Sequence, residues 1–307
     1  MVNLPSDYFY ESGMLPTKNL LLKRNTPLPI FYSSFWGHSL KNKTDQLFNW
    51  VKSDIKDVTD SCQDLRGREF DIYRYQEHRE DFVTKFFGDF LTYLNTDAGV
   101  VIRKQLLSQF QDFLDAHRND REIVFVAHSL GTLILWELLF CQHLPENDPA
   151  QKFRQMFGSK ESQLKLHGVI TMGSPLLFMR LKQDIDFSAV DDFNGTNETL
   201  PWVNIIHASD LIAYPLGNAI KHDKASKLFF SDQYLWMHAN AAESGALRFG
   251  QAHAGMALGL ADAHGSYWNN DVVADLTASL LAKDLNNLAT SKVHTGWRSY
   301  ATDLRSV

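Results

Sequence analysis

Cysteine is nearly absent: Cys62 and Cys141 are the two in 307 residues, so a disulfide-stapled scaffold is excluded. No Cys and His spacing typical of a zinc site occurs, and no metal is implied. Like charges form no block. With 30 Lys+Arg against 36 Asp+Glu the net charge is −6, which argues against nucleic acid and anionic membrane surfaces as partners. Internal repeats and low-complexity tracts are also missing. The first residues have no basic stretch followed by an apolar one, so no signal peptide is expected. One long apolar run, residues 123–141, has the length of a membrane span, but His128, Ser129, Gly131, Thr132 and Glu137 interrupt it at high cost in hydrocarbon. A buried strand, a sharp turn and a buried helix fit the same letters, so the expectation is a soluble, cytoplasmic protein with no integral membrane segment.

What is present is ordinary globular composition, 44% hydrophobic and 21% charged. The length allows one large domain or two modest ones. Residues 1–27, with Pro5, Gly13, Pro16 and Pro27, suggest an irregular N-terminal arm. Strands are expected over 29–35 and 70–75, and helices over 44–58, 80–94 and 101–117. A short apolar run at 123–126 fits a strand buried on both faces, followed by a helix over 130–140. Residues 145–165 look like a loop. Further strands are expected over 168–172 and 202–208, and a closing helix over 271–285. Residues 211–262, rich in Ala, Gly and aromatics without a clean period, suggest a lid or cap-like elaboration. Strands alternating with helices imply an α/β fold: a mainly parallel open sheet flanked by helices, with its active site at the carboxyl ends of the strands.

Ala127-His128-Ser129-Leu130-Gly131 stands between the buried strand and the helix. Attack on an acyl carbon needs a serine hydroxyl held proud of the backbone, with N–H donors near the developing oxyanion. A tight strand-to-helix turn supplies both. A serine there also fits a plain helix N-cap. With IVFV before it and an apolar helix after it, AHSLG resembles the nucleophile elbow of the α/β-hydrolase superfamily, in its esterase and lipase branch, with Ala127 in place of the usual first glycine. Two further segments share the resemblance. Thr171-Met172-Gly173-Ser174-Pro175 is similar to the T-x-G-S-P of lipase-like members, and His264-Gly265-Ser266-Tyr267-Trp268 is similar to their H-x-x-Y-W histidine segment. Together they span roughly residues 28–288.

A nucleophilic serine needs an imidazole, and the imidazole needs a carboxylate to fix its tautomer. The order nucleophile, acid, base selects Asp210, at a strand end in a segment similar to the family's D-x-[VI]-x-x-P-L loop, and then His264. Asp184, Asp186, Asp191, Asp192 and Asp223 lack comparable placement. His253 and His294 are less suited than His264, His294 being expected at the surface. His128 is expected to pack under the turn, at the edge of a substrate-binding group with Phe35 and Trp36. His38 and His207 fit ordinary hydrogen-bonded histidines. For the oxyanion the backbone of Leu130 supplies one donor. The loop Ser33-Ser34-Phe35-Trp36-Gly37-His38, which departs from the His-Gly of relatives, supplies the other from Phe35 or Trp36.

The resemblance implies a serine hydrolase that cleaves carboxylic esters, small or lipid, through an acyl-enzyme and without a cofactor. Acyl transfer, thioester cleavage and a non-catalytic binding module on the same fold remain alternatives. Because the pieces must meet, residues 28–307 are expected to form one catalytic domain.

Overall fold

Five segments pair side by side in chain order into one sheet, every pair parallel. The structure is a computed structural model that describes residues 6–34, 36, 41–61, 89–94, 96–158, 164–193, 195 and 199–295. Along them run α1 (Ser6–Lys23), α2 (Lys41–Ser61), α3 (Asp89–Tyr93), α4 (Thr96–Ala116), β1 (Glu122–His128), α5 (Leu130–Leu139), α6 (Pro149–Gln155), β2 (Lys165–Met172), α7 (Leu176–Met179), β3 (Leu200–His207), α8 (Gly217–Asp223), β4 (Leu228–Leu235), α9 (Ala241–Arg248), α10 (Ala252–Gly265), α11 (Asp271–Leu281), α12 (Leu285–Leu288) and β5 (Lys292–His294). Short 3₁₀ turns cover Phe187–Asp192 and Ser266–Asn269.

The chain divides into two compact units. One joins Met1–Ser33 to Gln111–Val307 and holds the sheet; the other is Ser34–Phe110. Residues 28–307, read from the sequence as one domain, are therefore shared between both. Within the smaller unit, Arg103 is buried and donates to the Tyr93 hydroxyl at 3.1 Å.

In the sheet unit, side chains alternate between two covered faces, as parallel strands require. Ile170, Met172, Val203 and Ile205 meet Val273, Leu276 and Leu280 of α11 on one face. Gly168 is needed there on steric grounds. A Cβ on it would lie 2.8 Å from Leu280 Cδ2, so only glycine lets α11 sit this close to β2. α1 packs on α11 in turn, and Arg24, just past its end, donates to Ser279 Oγ at 3.0 Å. On the opposite face Trp202 of β3 is surrounded by Trp136 of α5, by Phe140 just past its end and by Phe187, with ring centroids 5.9–6.3 Å apart. Such aromatic pairs add about 0.5–1.5 kcal/mol each beyond the area they bury.

The apolar run 123–141 is thus β1, a turn and α5. Among the described residues no helix is long and apolar enough to cross a membrane. Several expectations change. The arm expected to be irregular is helical over Ser6–Lys23, Pro16 included, because Met14 and Leu21 bury against the body. No strand forms over 29–34, where Pro29 has no N–H to give a ladder. The strand expected over 70–75 and the residues 80–88 lie outside the described residues. The loop expected over 145–165 contains α6, whose start was legible: Asp148 accepts from Ala150 N–H at 2.9 Å and Pro149 opens the helix. The stretch 211–262 is partly core, since it contributes β4 along the whole length of β3.

Candidate active site

Register brings the strand ends level. His128 at the end of β1 pairs with Met172 at the end of β2, and Met172 pairs with Ile205 near the end of β3. Ser129, Gly173 and Asp210 therefore leave the sheet side by side at its carboxyl edge.

Ser129 occupies the turn with φ 54° and ψ −131°, a backbone that an L-residue adopts at a cost of about 1–3 kcal/mol. Three hydrogen bonds hold it there. Its N–H donates to Met172 C=O at 2.9 Å, and its C=O accepts from the Thr132 N–H at 3.0 Å and hydroxyl at 2.8 Å. The Thr132 oxygen accepts in turn from Ser174 at 3.0 Å. Its side chain makes no capping bond to α5, which sets aside the plain N-cap reading. Leu130 opens α5, so its N–H is one of the donors that a helix start leaves without an internal acceptor.

His264 stands in the last turn of α10, with Nε2 2.8 Å from Ser129 Oγ and Nδ1 2.9 Å from Asp210 Oδ2. A carboxylate only accepts, so Nδ1 carries the proton and Nε2 presents its lone pair to the serine hydroxyl. Asp210 is 5% exposed. Burial alone would raise its pKa, but hydrogen bonds from His264, the Ile212 N–H and Tyr267 outweigh this and hold the carboxyl below its ordinary value.

Tyr267, fully buried in the 3₁₀ turn after α10, is the residue that sequence reasoning left without a role. Its hydroxyl accepts from the His207 N–H at 2.9 Å and donates to Asp210 Oδ2 at 2.8 Å. Burial, then the Asp210 charge, push its pKa well above the usual tyrosine value, so it stays a donor. The available signal was its place three residues after His264 in the H-x-x-Y-W segment.

Gly173 closes the other side with φ +57°. A Cβ there would lie 3.0 Å from Asp210 Oδ2 and 3.1 Å from both His264 Cε1 and Tyr267 Cε2. The neighbouring motif residues are structural. Thr171 donates to Asn204 Oδ1 at 2.9 Å and accepts from Trp202 Nε1 at 3.0 Å. Asn204 donates to Tyr214 C=O at 3.0 Å and to buried Asp232 at 2.8 Å, anchoring the loop that begins with Asp210.

His128 lies behind His264, its ring centroid 4.6 Å from the His264 ring and its Nε2–H donating to His264 C=O at 2.8 Å. Burial, then the neighbouring imidazole, push its pKa down to about 3, so it stays neutral beside the base. Expected to pack under the turn, His128 packs against the rings of His264, Tyr267 and Trp268. A substrate-binding role has no such support, because its Nε2 is engaged by His264.

Of the other expected donors and binding residues, Phe35 and His38 lie outside the described residues. Trp36 belongs to the unit Ser34–Phe110, and the sheet unit carries Leu130 alone. Four of the rejected carboxylates have structural partners: Asp223 pairs with Arg180 at 2.5 Å, Asp191 accepts from Ser226 N–H, Asp186 caps Ser188, and Asp192 accepts from Gln142. His294 is half-buried in β5 and bonded to Gln233 at 2.8 Å rather than lying free at the surface, while His253 is exposed on α10. His207 is buried, with Nδ1 accepting from the Ser209 N–H at 3.1 Å. Among the described residues no group of three or more His, Cys, Asp or Glu side chains converges as a metal ion would require. No family model matches this sequence, and comparisons with curated proteins and with solved structures also yield no match.

Proposed function

We propose that the protein is a serine-dependent hydrolase of carboxylic esters, built on an α/β-hydrolase fold. One observation carries this reading: the unbroken relay from Ser129 Oγ through the His264 ring to the buried Asp210 carboxylate, at 2.8 and 2.9 Å. A helix-capping serine has no need of an imidazole lone pair, and a surface histidine has no need of a buried carboxylate.

In this reading the Ser129 oxygen attacks the ester carbon while its proton passes to His264 Nε2. The carbonyl π electrons move onto oxygen, beside the Leu130 N–H at the positive end of α5. His264, now a cation held by Asp210, gives the proton to the leaving alcohol, and the acyl group stays on Ser129. Water then repeats the sequence, releasing the acid and restoring the serine.

Ser129→Ala tests this. Turnover of short p-nitrophenyl esters should fall by roughly four orders of magnitude or more, with the circular dichroism spectrum unchanged. Labelling of the wild-type chain by a fluorophosphonate probe should vanish in the same variant. Esterase turnover that survives Ser129→Ala, or a folded wild-type chain that takes no label, refutes the proposal.

A further inference from the structure

A cavity of about 450 Å³ opens beside the catalytic acid, between the loops that follow β3 and β4 and the helices α9 and α10. Its walls include Leu211, Trp236, Met237, Leu247 and Met256, and its size lies within the range of small-molecule sites. Four of these are unusually exposed for large apolar side chains: Leu211 47%, Trp236 64%, Leu247 39% and Met256 44%. Grouped around one hollow, they make an exposed apolar surface.

Glu243 also lines this hollow, yet is only 4% exposed. One carboxylate oxygen accepts from the Ser209 hydroxyl and the other from the Ala239 N–H. These dipoles fix the group but do not neutralise it. Among the described residues no Lys or Arg pairs with Glu243. His207 does not serve either, because burial lowers its pKa and it stays neutral. His238 lines the same wall without a hydrogen bond to Glu243 among the described residues. A buried charge is ordinarily paired, and each carboxylate oxygen has a second lone pair to offer.

We propose that this cavity binds a small organic ammonium ion, its charged head on Glu243 and its apolar body against Trp236, Met237 and Met256. Trp236, on the same wall, is of the residue type that best accepts a cation on its ring. Neither Ser129, Leu130 nor His264 lines the cavity, so its occupant is a second ligand and not the ester under attack. Ser209 and Leu211 face it while Asp210, between them, turns to His264, which sets the two sites back to back on one loop.

The test is calorimetric titration of the full chain with 2-phenylethylammonium and, in parallel, with neutral 2-phenylethanol. The ammonium should bind at least tenfold more tightly than the alcohol, and Glu243→Gln should abolish that preference. Met256→Trp, placed on an exposed rim residue, should fill the cavity and remove saturable binding of both probes without lowering the melting temperature. That variant decides the matter if Glu243→Gln fails to fold. Equal affinity for the two probes, no saturable binding to the wild-type chain, or binding indifferent to Met256→Trp overturns the proposal. So does ammonium binding lost once Ser129 carries a fluorophosphonate label, since the cavity would then be the ester pocket. A chain that takes no label but binds the ammonium with this pattern leaves this inference standing while the hydrolase reading fails.

Discussion

Tyr267→Phe removes one oxygen from a fully buried ring and leaves the packing of the ring intact, so its consequences can be worked out bond by bond. The hydroxyl donates to Asp210 Oδ2 at 2.8 Å and accepts from the His207 N–H at 2.9 Å. Losing a bond to a charged acceptor costs about 1.5–3 kcal/mol, and a buried N–H left without a partner costs about 1–3 kcal/mol. A stability loss of about 2–4 kcal/mol is expected, because part of each cost overlaps once the loop relaxes. For the reaction, Asp210 loses one of the bonds that hold its pKa down. Without it the carboxylate is also held less firmly in its orientation toward His264, and a loss of about 1.4 kcal/mol from that misalignment means roughly tenfold in kcat. The sign of the pH effect follows. Asp210 has a folded pKa below its unfolded value, so it stabilises the fold above the unfolded pKa, and that stability is lost as pH falls through the folded pKa. Raising the folded pKa moves this loss to higher pH, so acid unfolding of the variant should begin at higher pH than in wild type. Urea melts at several pH values, with kcat and KM for p-nitrophenyl acetate, read all three effects. A variant with wild-type kcat, urea midpoint and acid limb would refute the positioning role of Tyr267.

Three further substitutions bear on the same structure. Gly173→Ala should abolish ester turnover and destabilise the chain, since its Cβ would press on Asp210, His264 and Tyr267 together at a positive φ; a rate within threefold of wild type would contradict this. Gly131→Ala should keep activity and add about 0.5–1 kcal/mol in urea melts, because a Cβ there meets nothing within 4 Å and alanine favours the helix. Asp223→Asn should lower the melting temperature above pH 4 and leave it nearly unchanged near pH 2. The wild-type carboxylate, held at about 2 against burial by Arg180 and the Phe187 N–H, supplies stability that disappears as pH falls through that value. Melts of both chains from pH 2 to 6 check this.

The fold was legible where apolar runs were short and bounded. β1, β2 and β3 each show as a run of β-branched or aromatic residues that ends at a turn. β4 did not, because Ser231, Asp232 and Gln233 are buried polar residues, of which Asp232 and Gln233 find partners elsewhere in the chain. Asp232 accepts from Asn204 at 2.8 Å and from the Leu216 and Gly217 N–H groups at 3.1 and 3.0 Å, and Gln233 reaches Thr290 C=O at 3.0 Å. A strand satisfied by distant partners has no apolar period to read. α1 was missed for a related reason: only part of it is buried, and Pro16 masks a helix held in place by α11.

At the site, chain order and strand-end placement were enough to single out Ser129, Asp210 and His264, because each sits where a strand or helix stops. The sequence did not reveal where the steric strictness of the site resides. The elbow segment has small residues, Ala127 and Gly131, two positions either side of the serine, yet Gly131 has open space where its Cβ would be. Strain at the elbow is carried by Ser129 itself, at φ 54°, held by Met172 and Thr132. The more constrained glycine is Gly173, on the neighbouring strand end, at a positive φ and with Asp210, His264 and Tyr267 all within 3.1 Å of where a Cβ would stand. The acid, the base and the tyrosine that orients the acid therefore pack against backbone rather than against a side chain. The Thr171–Pro175 segment thus bears on the proposed relay through the space that Gly173 leaves and not through a side chain aimed at Ser129.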